Sequence, residues 1–384
     1  MVHTGLDILL SGPGELNNKR VALITSYTAL TSRFTFIWDE FLRAGLDLVR
    51  IFSPEHGIFG TEQDQVSVGR EPELPVPVKS LYGADASSLR PAEEDLHDLD
   101  CIVFDIQDIG ARYYTFVNTM IYVMREISGS GISFMVLDRP NPLGGAVEGP
   151  LLEPGYESFV GVMPAAVRHG MTAGELARFA VAHFNLDLDL TVKSMKGWSR
   201  EMHFPETGLA WTPPSPNMPD YETALLYPGM CLIEGMNVSE GRGTTAPFRL
   251  IGAPWIDPVK TSAALNSLSL PGIVFVPHYF RPQFNKYAGE VCGGLRLHVT
   301  DAHALLPFLT GVAVVKVLSD LYEECSFLHG VYEFNDLYPA FDLLAGSSLI
   351  REMIRAGKSL DAIASSWKDD EDRFRKASLT SYLY

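Results

Sequence analysis

Five short apolar segments recur at nearly regular intervals in the first half of this 384-residue chain. They begin at residues 21, 47, 76, 101 and 132, so that successive starts are 25 to 31 residues apart. This interval accommodates a buried strand, a helix and the return to the next strand, which is the repeating unit of a parallel α/β sheet. We therefore predict a Rossmann-like parallel sheet, with strands at residues 21–26, 47–52, 76–81, 101–106 and 132–137.

The segments between these strands carry apolar residues at helical spacing. One of them opens with Thr172-x-x-Glu175, a capping box in which two side chains satisfy the free amides of the first helical turn. The predicted helices of this half span residues 34–45, 91–96, 115–127 and 172–183.

The pattern changes from about residue 190 onward, where short strands, many prolines and longer connections occur. Strands are predicted at 190–195, 273–276 and 295–300, and helices at 302–324, 347–356 and 360–367. We therefore predict an α/β fold, in which a Rossmann-like domain of residues 1–187 is followed by a smaller α+β domain of residues 188–384. A cleft between the two domains is the expected ligand site.

The charge balance limits the possible partners. The chain has 30 Lys and Arg against 47 Asp and Glu, a net charge of −17. This argues against nucleic acid or an anionic membrane as a partner, but an anionic small substrate remains compatible with a few local arginines. The sequence has no leader pattern and no run approaching ~18 apolar residues, so we predict a soluble, cytoplasmic protein.

Several common cofactor and catalytic motifs are missing from the sequence. The first strand is not followed by GxGxxG, and GxxxxGK[ST] does not occur, so NAD or ATP binding is not expected. The histidines lack the HxH and HExxH spacings of metal sites, and there is no GxSxG motif of a serine hydrolase. The four cysteines are scattered without a CxxC pair, which predicts reduced, mostly buried thiols. We predict no metal and no cofactor.

Polar clusters follow three of the predicted parallel strands. They are Ser53-Pro54-Glu55-His56-Gly57, the stretch from Asp105 to Thr115, and Asp138-Arg139-Pro140-Asn141-Pro142-Leu143-Gly144-Gly145. Because parallel strands end at the same edge of a sheet, we expect these clusters to share one crevice.

The first cluster offers a candidate proton donor. Glu55 directly follows an apolar strand, and shielding from water favours the protonated form that a general acid needs. A capping or salt-bridged glutamate is the competing interpretation. The neighbouring His56 either orients Glu55, binds substrate or is structural.

The second cluster combines acids, a guanidinium and two phenols. Asp108 is better placed than Asp105 to face the crevice. Arg112 suits an anion clamp, because its planar fork grips carboxylates, although a structural pair with one of these aspartates is equally compatible. If Tyr113 and Tyr114 are extended, they point to opposite sides, and at most one of them stacks on a ligand.

Further candidate substrate-binding residues lie in neighbouring motifs. Arg139 and Asn141 belong to the third polar cluster, and His169 precedes the capped helix, whose free amides favour an acidic ligand group. Asn217 lies in the proline-rich segment 213–219, which forms either the wall of a pocket or a plain crossing between domains.

A glycine-rich stretch at 234–245 is the densest polar segment of the second half. Its glycines allow tight turns and close backbone approach, so that Glu240 and Arg242 would be presented from a loop. The alternative is a structural turn whose charges pair with each other. Carboxylates, arginines, amides and aromatics without a metal form the inventory typical of glycoside hydrolysis.

Taken together, these motifs resemble one family, the exo-β-N-acetylmuramidases of the NamZ type, formerly a domain of unknown function. The similarity follows the order of the motifs across nearly the whole chain. The matching stretches are SPEHG at 53–57, FDIQDIGARYYT at 104–115, DRPNPLGG at 138–145, VEGP at 147–150, RHGMTAGELA at 168–177, PSPNMP at 214–219 and SEGRGTTAPFRLIGAPW at 239–255.

The resemblance implies release of N-acetylmuramic acid from the non-reducing end of peptidoglycan fragments, in a role such as cell-wall recycling. It implies that Glu55 is a catalytic acid, with the second role taken by Glu240, by Asp108 or by the 2-acetamido group of the substrate. The lactyl carboxylate of muramic acid needs a cation, for which Arg112 and Arg242 are the candidates. Alternatives from other classes are a muropeptide-binding protein without catalysis and a transferase acting on an amino sugar.

Two departures from the family pattern affect the expected site. Ser26 ends the first predicted strand where the family usually has an asparagine. Residues 60–65 lack the alanine-glycine pair that usually follows SPEHG. Because this loop borders the predicted site, we expect differences in substrate detail.

Overall fold

The computed structural model describes residues 1–63 and 65–384. Within this part of the chain it contains eleven strands and eleven α-helices. The strands are β1 Arg20–Thr25, β2 Asp47–Ser53, β3 Val78–Ser80, β4 Cys101–Asp105, β5 Ser133–Leu137, β6 Glu148–Leu151, β7 Ala166–Arg168, β8 Leu190–Lys193, β9 Leu250–Ala253, β10 Ile273–Phe280 and β11 Cys292–Val299. The helices are α1 Gly5–Leu10, α2 Ile37–Arg43, α3 Thr115–Glu126, α4 Ala173–Phe184, α5 Tyr221–Met230, α6 Pro258–Ser267, α7 Pro307–Leu321, α8 Ala340–Ala345, α9 Leu349–Arg355, α10 Leu360–Ser365 and α11 Lys368–Ser378.

Six strands form a parallel sheet in the order β3-β2-β1-β4-β5-β8. Each neighbouring pair is parallel, and Thr25 at the end of β1 lies opposite Asp105 at the end of β4. The chain runs outward from β1 to β3 on one side and from β4 to β8 on the other, so the order reverses between β1 and β4. The predicted α/β fold with a Rossmann-like sheet is confirmed.

Strand β8 belongs to the parallel sheet and not to the second half. We expected a strand at 190–195 to open the second domain, but Leu190–Lys193 pairs in parallel with β5. The chain of the first sheet therefore continues past residue 187, where we placed the domain boundary. The half-buried residues of β8 resemble those of any short edge strand, so the sequence offered no sign of this pairing.

The remaining strands form two small antiparallel sheets. One has the order β10-β11-β9, and the other is the pair β6-β7. Helices α5 and α7 pack against each other, and Gly229 and Gly311 allow their backbones to approach closely, since a Cβ on Gly311 would lie 2.2 Å from the Gly229 carbonyl oxygen. The second half is therefore a mixed α+β layer.

One apolar core crosses both halves of the chain. Phe104 of β4 and Phe116 of α3 lie in the same buried cluster as Leu226 of α5 and Phe308 of α7. A second cluster lies on the other face of the sheet, around Phe41 and neighbouring apolar residues. Burial of this continuous surface holds the two halves together.

Local sequence signals located most helices. Helix α4 has the predicted capping box, in which Thr172 accepts from the Glu175 amide and Glu175 accepts from the Thr172 amide. The segment predicted as a helix at 91–96 contains only a short 3-10 turn at Glu93–Asp95. Three adjacent acids give that turn little apolar surface to bury, and short helices depend on such packing.

Helices long and apolar enough to cross a membrane are absent from residues 1–63 and 65–384. The four cysteines are unpaired, and three of them are buried.

Candidate functional site

A cleft opens where the ends of β2 and β4 face loops of the second half. We call it the central cleft. From residues 1–63 and 65–384, its walls combine three carboxylates, one guanidinium and several aromatic rings. The lining residues are Glu55, His56, Tyr113, Tyr114, Thr115, Val160, Ser215, Asn217, Met218, Tyr227, Glu234, Arg242, Phe248, Tyr332 and Glu333.

The carboxylate of Glu55 is held at the start of helix α3. Its Oε2 accepts a hydrogen bond of 2.6 Å from the Thr115 hydroxyl, and its Oε1 accepts one of 3.3 Å from the Gln65 amide. Thr115 is the first residue of α3, and a helix N-terminus stabilises nearby negative charge. Glu55 is 4% exposed, so the cleft presents a buried, oriented carboxyl group.

His56 adopts an unusual backbone conformation beside Glu55. Its φ is 72°, a left-handed value that is costly for a residue with a bulky side chain. Its Nδ1 lies 2.9 Å from the Glu62 carbonyl oxygen, and the Glu62 amide donates back to the His56 carbonyl at 3.3 Å. Because the Nδ1 hydrogen is used on this carbonyl, the neutral ring keeps Nε2 as an acceptor.

Asp108 lies behind the central cleft and does not line it. Its Oδ2 accepts from the Gly110 amide at 2.7 Å and lies 3.6 Å from Nε2 of His169. His169 Nδ1 in turn accepts from the Met171 amide at 3.1 Å. Within the described residues, the buried Oδ1 of Asp108 has no hydrogen-bond donor. Asp108 and His169 therefore form a buried pair next to the site.

Arg112 binds backbone carbonyls. The sequence suggested either an anion clamp or an ion pair with a nearby aspartate, and the structure shows neither contact. Its guanidinium donates to the backbone carbonyls of Pro150, Ala165 and Leu344, each at 2.8 Å. The Arg112 amide pairs with the Val167 carbonyl, so the side chain extends toward β6 and β7 and away from the cleft. Burial lowers the pKa of Arg112 to about 10. It forms an ion pair with neither Asp105 nor Asp108, and it does not line the cleft.

The cluster after β5 also lies outside the central cleft. Arg139 forms a buried ion pair with Asp105, with Nη2 at 3.0 Å from Oδ2, and burial raises the pKa of Asp105. Asn141 shapes a turn, because its Oδ1 accepts from the Leu143 amide and its Nδ2 donates to the Met171 carbonyl. We expected Arg139 and Asn141 to share one crevice with Glu55, but these contacts hold them outside the central cleft.

Tyr113 and Tyr114 both line the cleft, although we expected at most one to face a ligand. Their rings pack edge-on against Tyr227, with centroids 5.6 and 5.9 Å away. Tyr114 caps helix α3, so the segment is not an extended strand with alternating sides. The Tyr113 hydroxyl donates to the Pro228 carbonyl, and burial raises the pKa of both phenols well above the ordinary value.

The glycine-rich stretch brings a chain of charges to the other wall. Glu240 Oε2 lies 3.0 Å from Lys286 Nζ, and its Oε1 lies 3.4 Å from Arg242 Nε. Arg242 Nη2 lies 2.8 Å from Glu234 Oε1, and Glu234 Oε2 accepts from the Tyr332 hydroxyl at 2.6 Å. Glu240 and Arg242 are thus paired, as the alternative interpretation held, while Arg242 also lines the cleft.

The turn itself depends on glycine. Gly241 and Gly243 have φ values of 82° and 77°, and a Cβ on Gly243 would lie 2.6 Å from the Phe284 carbonyl oxygen. These two positions let the loop fold tightly against a neighbouring segment.

The proline-rich segment 213–219 forms one wall of the cleft. Ser215 and Asn217 line it, and Asn217 Nδ2 donates to Gln63 Oε1 at 2.8 Å. The loop after SPEHG therefore contacts the site at two points. Gln63 accepts a hydrogen bond from Asn217, and the Gln65 amide donates one to Glu55. This loop is where the sequence departs from the family pattern.

Sequence reasoning missed several cleft residues. Glu234 is the first residue of the glycine-rich stretch, and this position could have marked it as a candidate site residue. Glu333 accepts from the Tyr82 hydroxyl at 2.9 Å, across 251 positions of sequence, and no local pattern marks such a pair. Lys286, also missed, does not line the central cleft but supports its wall, since it donates to Glu240 and to three backbone carbonyls, those of Ile233, Glu234 and Val238.

Groups of three or more His, Cys, Asp or Glu side chains that could hold a metal ion are absent from the described residues. The chemistry of the cleft is that of carboxylates, amides and hydroxyls. The fold and the cleft define an α/β protein with a buried, carboxylate-lined site of the kind that acts on sugars.

The particular family follows from comparison with known proteins. Models of the N- and C-terminal parts of the exo-β-N-acetylmuramidase NamZ match residues 21–222 and 225–384. The chain belongs to this family and is an exo-acting glycosidase.

Individual relatives agree in sequence and in fold. The chain is 43% identical over 391 residues to the peptidoglycan β-N-acetylmuramidase NamZ of Bacillus subtilis (strain 168), covering 100% of this chain and 91% of that protein. Two crystal structures of DUF1343 family proteins from Bacteroides fragilis NCTC 9343 are also similar. One is 34% identical with a TM-score of 0.90, the other 29% identical with a TM-score of 0.78, and each comparison covers 100% of this chain and 99% of the other.

Proposed function

We propose that this protein releases N-acetylmuramic acid from the non-reducing end of peptidoglycan fragments, with a role in the turnover of cell-wall material. The observation that carries the proposal is the position of Glu55, buried in the central cleft and hydrogen-bonded to Thr115 at the start of α3. The relationship to the NamZ family, which covers nearly the whole chain, supports the choice of substrate.

Glu55 is the general acid in this proposal. Its carboxyl group donates a proton to the glycosidic oxygen as the bond to the sugar breaks, and the carboxylate that forms accepts the Thr115 hydrogen bond. The N-terminus of α3 stabilises the same negative charge.

The attacking group is the 2-acetamido oxygen of the substrate. The other two carboxylates that the described residues bring to the cleft are already engaged, because Glu234 pairs with Arg242 and accepts from Tyr332, and Glu333 accepts from Tyr82. A carboxylate held by such donors is a weaker nucleophile. Neither of the sequence-based candidates for the second role, Glu240 and Asp108, lines the cleft, so we assign them to the support of its walls.

Arg242 binds the lactyl carboxylate of muramic acid. Among the described residues that line the central cleft it supplies the one guanidinium, and its planar fork suits a carboxylate. Glu234 and Glu240 hold it in place, and its guanidinium carbon lies 5.1 Å from the centroid of the Phe248 ring.

Glu55→Gln tests the proposal on a chromogenic β-glycoside of N-acetylmuramic acid. General acid catalysis contributes roughly 10²–10⁴-fold, so the variant should lose turnover by at least a factor in this range while keeping the melting temperature. Glu73→Gln is the matched control, since its side chain is 92% exposed in a surface pair with Arg70. Binding of the glycoside by the wild type without any release of sugar would instead favour a muropeptide-binding protein.

A further inference from the structure

A second cavity lies at the point where the strand order of the parallel sheet reverses. We call it the switch-point cavity. It is lined by residues that follow β1, β4 and β5, among them Thr28, Gln107 and Arg139. In open α/β sheets, ligands bind at this position, because strand ends there diverge and leave a crevice. The established family assignment gives this cavity no role.

The floor of the cavity carries two polar groups with unused capacity. Both Nε2 hydrogens of Gln107 are used, since they donate to the Asp108 and Pro140 carbonyls, while no described residue donates to its Oε1. Arg139 uses Nε and Nη2 on Asp105 and Leu30, and no described residue accepts from its Nη1. Both side chains are more than nine-tenths buried. The lining of one cavity therefore offers both an acceptor and a donor.

The rim of the cavity presents an aromatic ring to solvent. Phe34 is 66% exposed and has a φ of 60°, a strained conformation for a large side chain. The turn that holds it is tightly bonded, because the Thr31 amide donates to the Thr35 carbonyl and the Phe34 amide donates to the Thr31 carbonyl. Strain of this kind is common at ligand-binding sites, where the rest of the structure maintains it.

The switch-point cavity is separate from the central cleft. The segment that runs from one to the other is held by Tyr27, whose hydroxyl donates to the Pro213 carbonyl. On one side of that contact Thr212 lines the switch-point cavity, and on the other Ser215 lines the central cleft. Among the residues that the structure describes, none lines both sites.

We propose that the switch-point cavity binds one uncharged sugar ring. Its volume of about 180 Å³ is below the roughly 300–1,000 Å³ of pockets for drug-sized ligands, so a dinucleotide does not fit. Asp105 neutralises Arg139, and Asp7 adds a negative charge to the lining, which disfavours an anion. The Gln107 carbonyl oxygen can accept hydrogen bonds from hydroxyl or acetamido groups of a sugar, and the Arg139 guanidinium can donate to them. The Phe34 ring can pack against the apolar face of a pyranose ring.

The choice of a sugar rests on the proposed function, since a glycan substrate brings such rings to the protein. The sugar has two possible sources, a remote unit of the same glycan or a free monosaccharide. Both present the same ring chemistry to the cavity.

Titration calorimetry with two probes tests the inference and separates these sources. The probes are N-acetylglucosamine and its β-1,4-linked tetrasaccharide, and both lack the lactyl carboxylate proposed for Arg242. We expect saturable binding to the wild type. A clearly tighter tetrasaccharide assigns the site to a remote glycan unit, and equal affinities assign it to a free monosaccharide.

Two variants locate the binding. Phe34→Ala removes the aromatic rim, and Ala210→Trp fills the mouth from an exposed lining position. Each should weaken binding at least tenfold. Tyr279→Ala is the matched control, because Tyr279 is also 66% exposed but lies on β10, and it should bind like the wild type.

Absence of saturable binding of both probes overturns the inference, and so does binding that both cavity variants leave unchanged. The proposed function is judged separately, by release of muramic acid from the chromogenic glycoside. That substrate needs only the central cleft, so its hydrolysis does not depend on whether the second site exists.

Discussion

The hydroxyl of Thr115 donates a 2.6 Å hydrogen bond to the carboxylate of Glu55, which joins the start of helix α3 to the end of strand β2. Sixty residues separate the two in sequence. This bond and the one from the Gln65 amide orient the proposed acid.

Removal of this hydrogen bond should slow catalysis. Hydrogen bonds to charged groups contribute about 1.5–3 kcal/mol, or roughly 10–150-fold in rate. We expect Thr115→Val to lower kcat by a factor in this range with little change in KM, because the bond is strongest once Glu55 has released its proton. Thr115→Ser keeps the hydroxyl and should retain most of the activity. Equal kcat values for the two variants would remove the hydroxyl from the mechanism.

Arg242 should control the preference for muramic acid. Arg242→Lys keeps a positive charge beside Glu234 and Glu240 but loses the planar fork. We expect kcat/KM to fall about tenfold or more for a muramic acid glycoside, and by a much smaller factor for the glucosamine analogue without the lactyl group. Steady-state kinetics on the two glycosides measures this ratio. A parallel loss on both substrates would assign Arg242 to the structure of the wall alone.

Arg112 should affect stability more than catalysis. Arg112→Met leaves the carbonyls of Pro150, Ala165 and Leu344 without their donors, and each unsatisfied buried group costs about 1–3 kcal/mol. We expect a clear loss in denaturant-induced unfolding free energy, with kcat/KM per folded molecule close to that of the wild type. A large rise in KM at unchanged stability would contradict this position.

Glu148 should make stability depend on pH. Burial raises the pKa of its carboxyl from 4.5 to about 7, although Oε1 accepts from the Leu309 amide at 2.8 Å. Since the folded state holds this proton more tightly than the unfolded state, the contribution of Glu148 to stability is full below pH 4.5. It is lost as pH rises through about 7.

Glu148→Gln should weaken this dependence. Between pH 5 and 8 the melting temperature of the variant should fall less than that of the wild type, in thermal unfolding followed by circular dichroism. Burial also raises the pKa of Asp138, to about 6. Asp138 is present in both proteins, so it contributes equally to the pH dependence of each. Glu73→Gln provides the exposed control, and identical pH profiles for all three proteins would refute the role of Glu148.

The sequence was sufficient for five of the six strands of the parallel sheet but not for the pairing of β8 or for the lateral order of the strands. Spacing of apolar runs located five parallel strands, and the Thr172 capping box located α4. The cluster after β2 and the one after β4 flank the same central strand, β1, so Glu55 and Thr115 meet. The cluster after β5 lies one strand further away, and its Arg139 lines the switch-point cavity together with Gln107 from the cluster after β4.

Side-chain pairing was the other part that sequence could not supply. Arg112 and Arg242 were equivalent candidates for an anion clamp, since each lies in a polar stretch. Backbone pairing with β7 turns Arg112 inward to carbonyls, while the Gly241 and Gly243 turn aims Arg242 at the cleft. These directions depend on contacts between distant segments.

The apolar core that crosses both halves has a consequence for how such chains can be recombined. The two family models divide the chain between residues 222 and 225, inside helix α5, whose Leu226 lies in the same buried cluster as Phe104 of the sheet. A chimaera joined at that point would combine two half-cores with unmatched surfaces. Recombination that leaves the core intact would therefore have to transfer the two segments together as one unit.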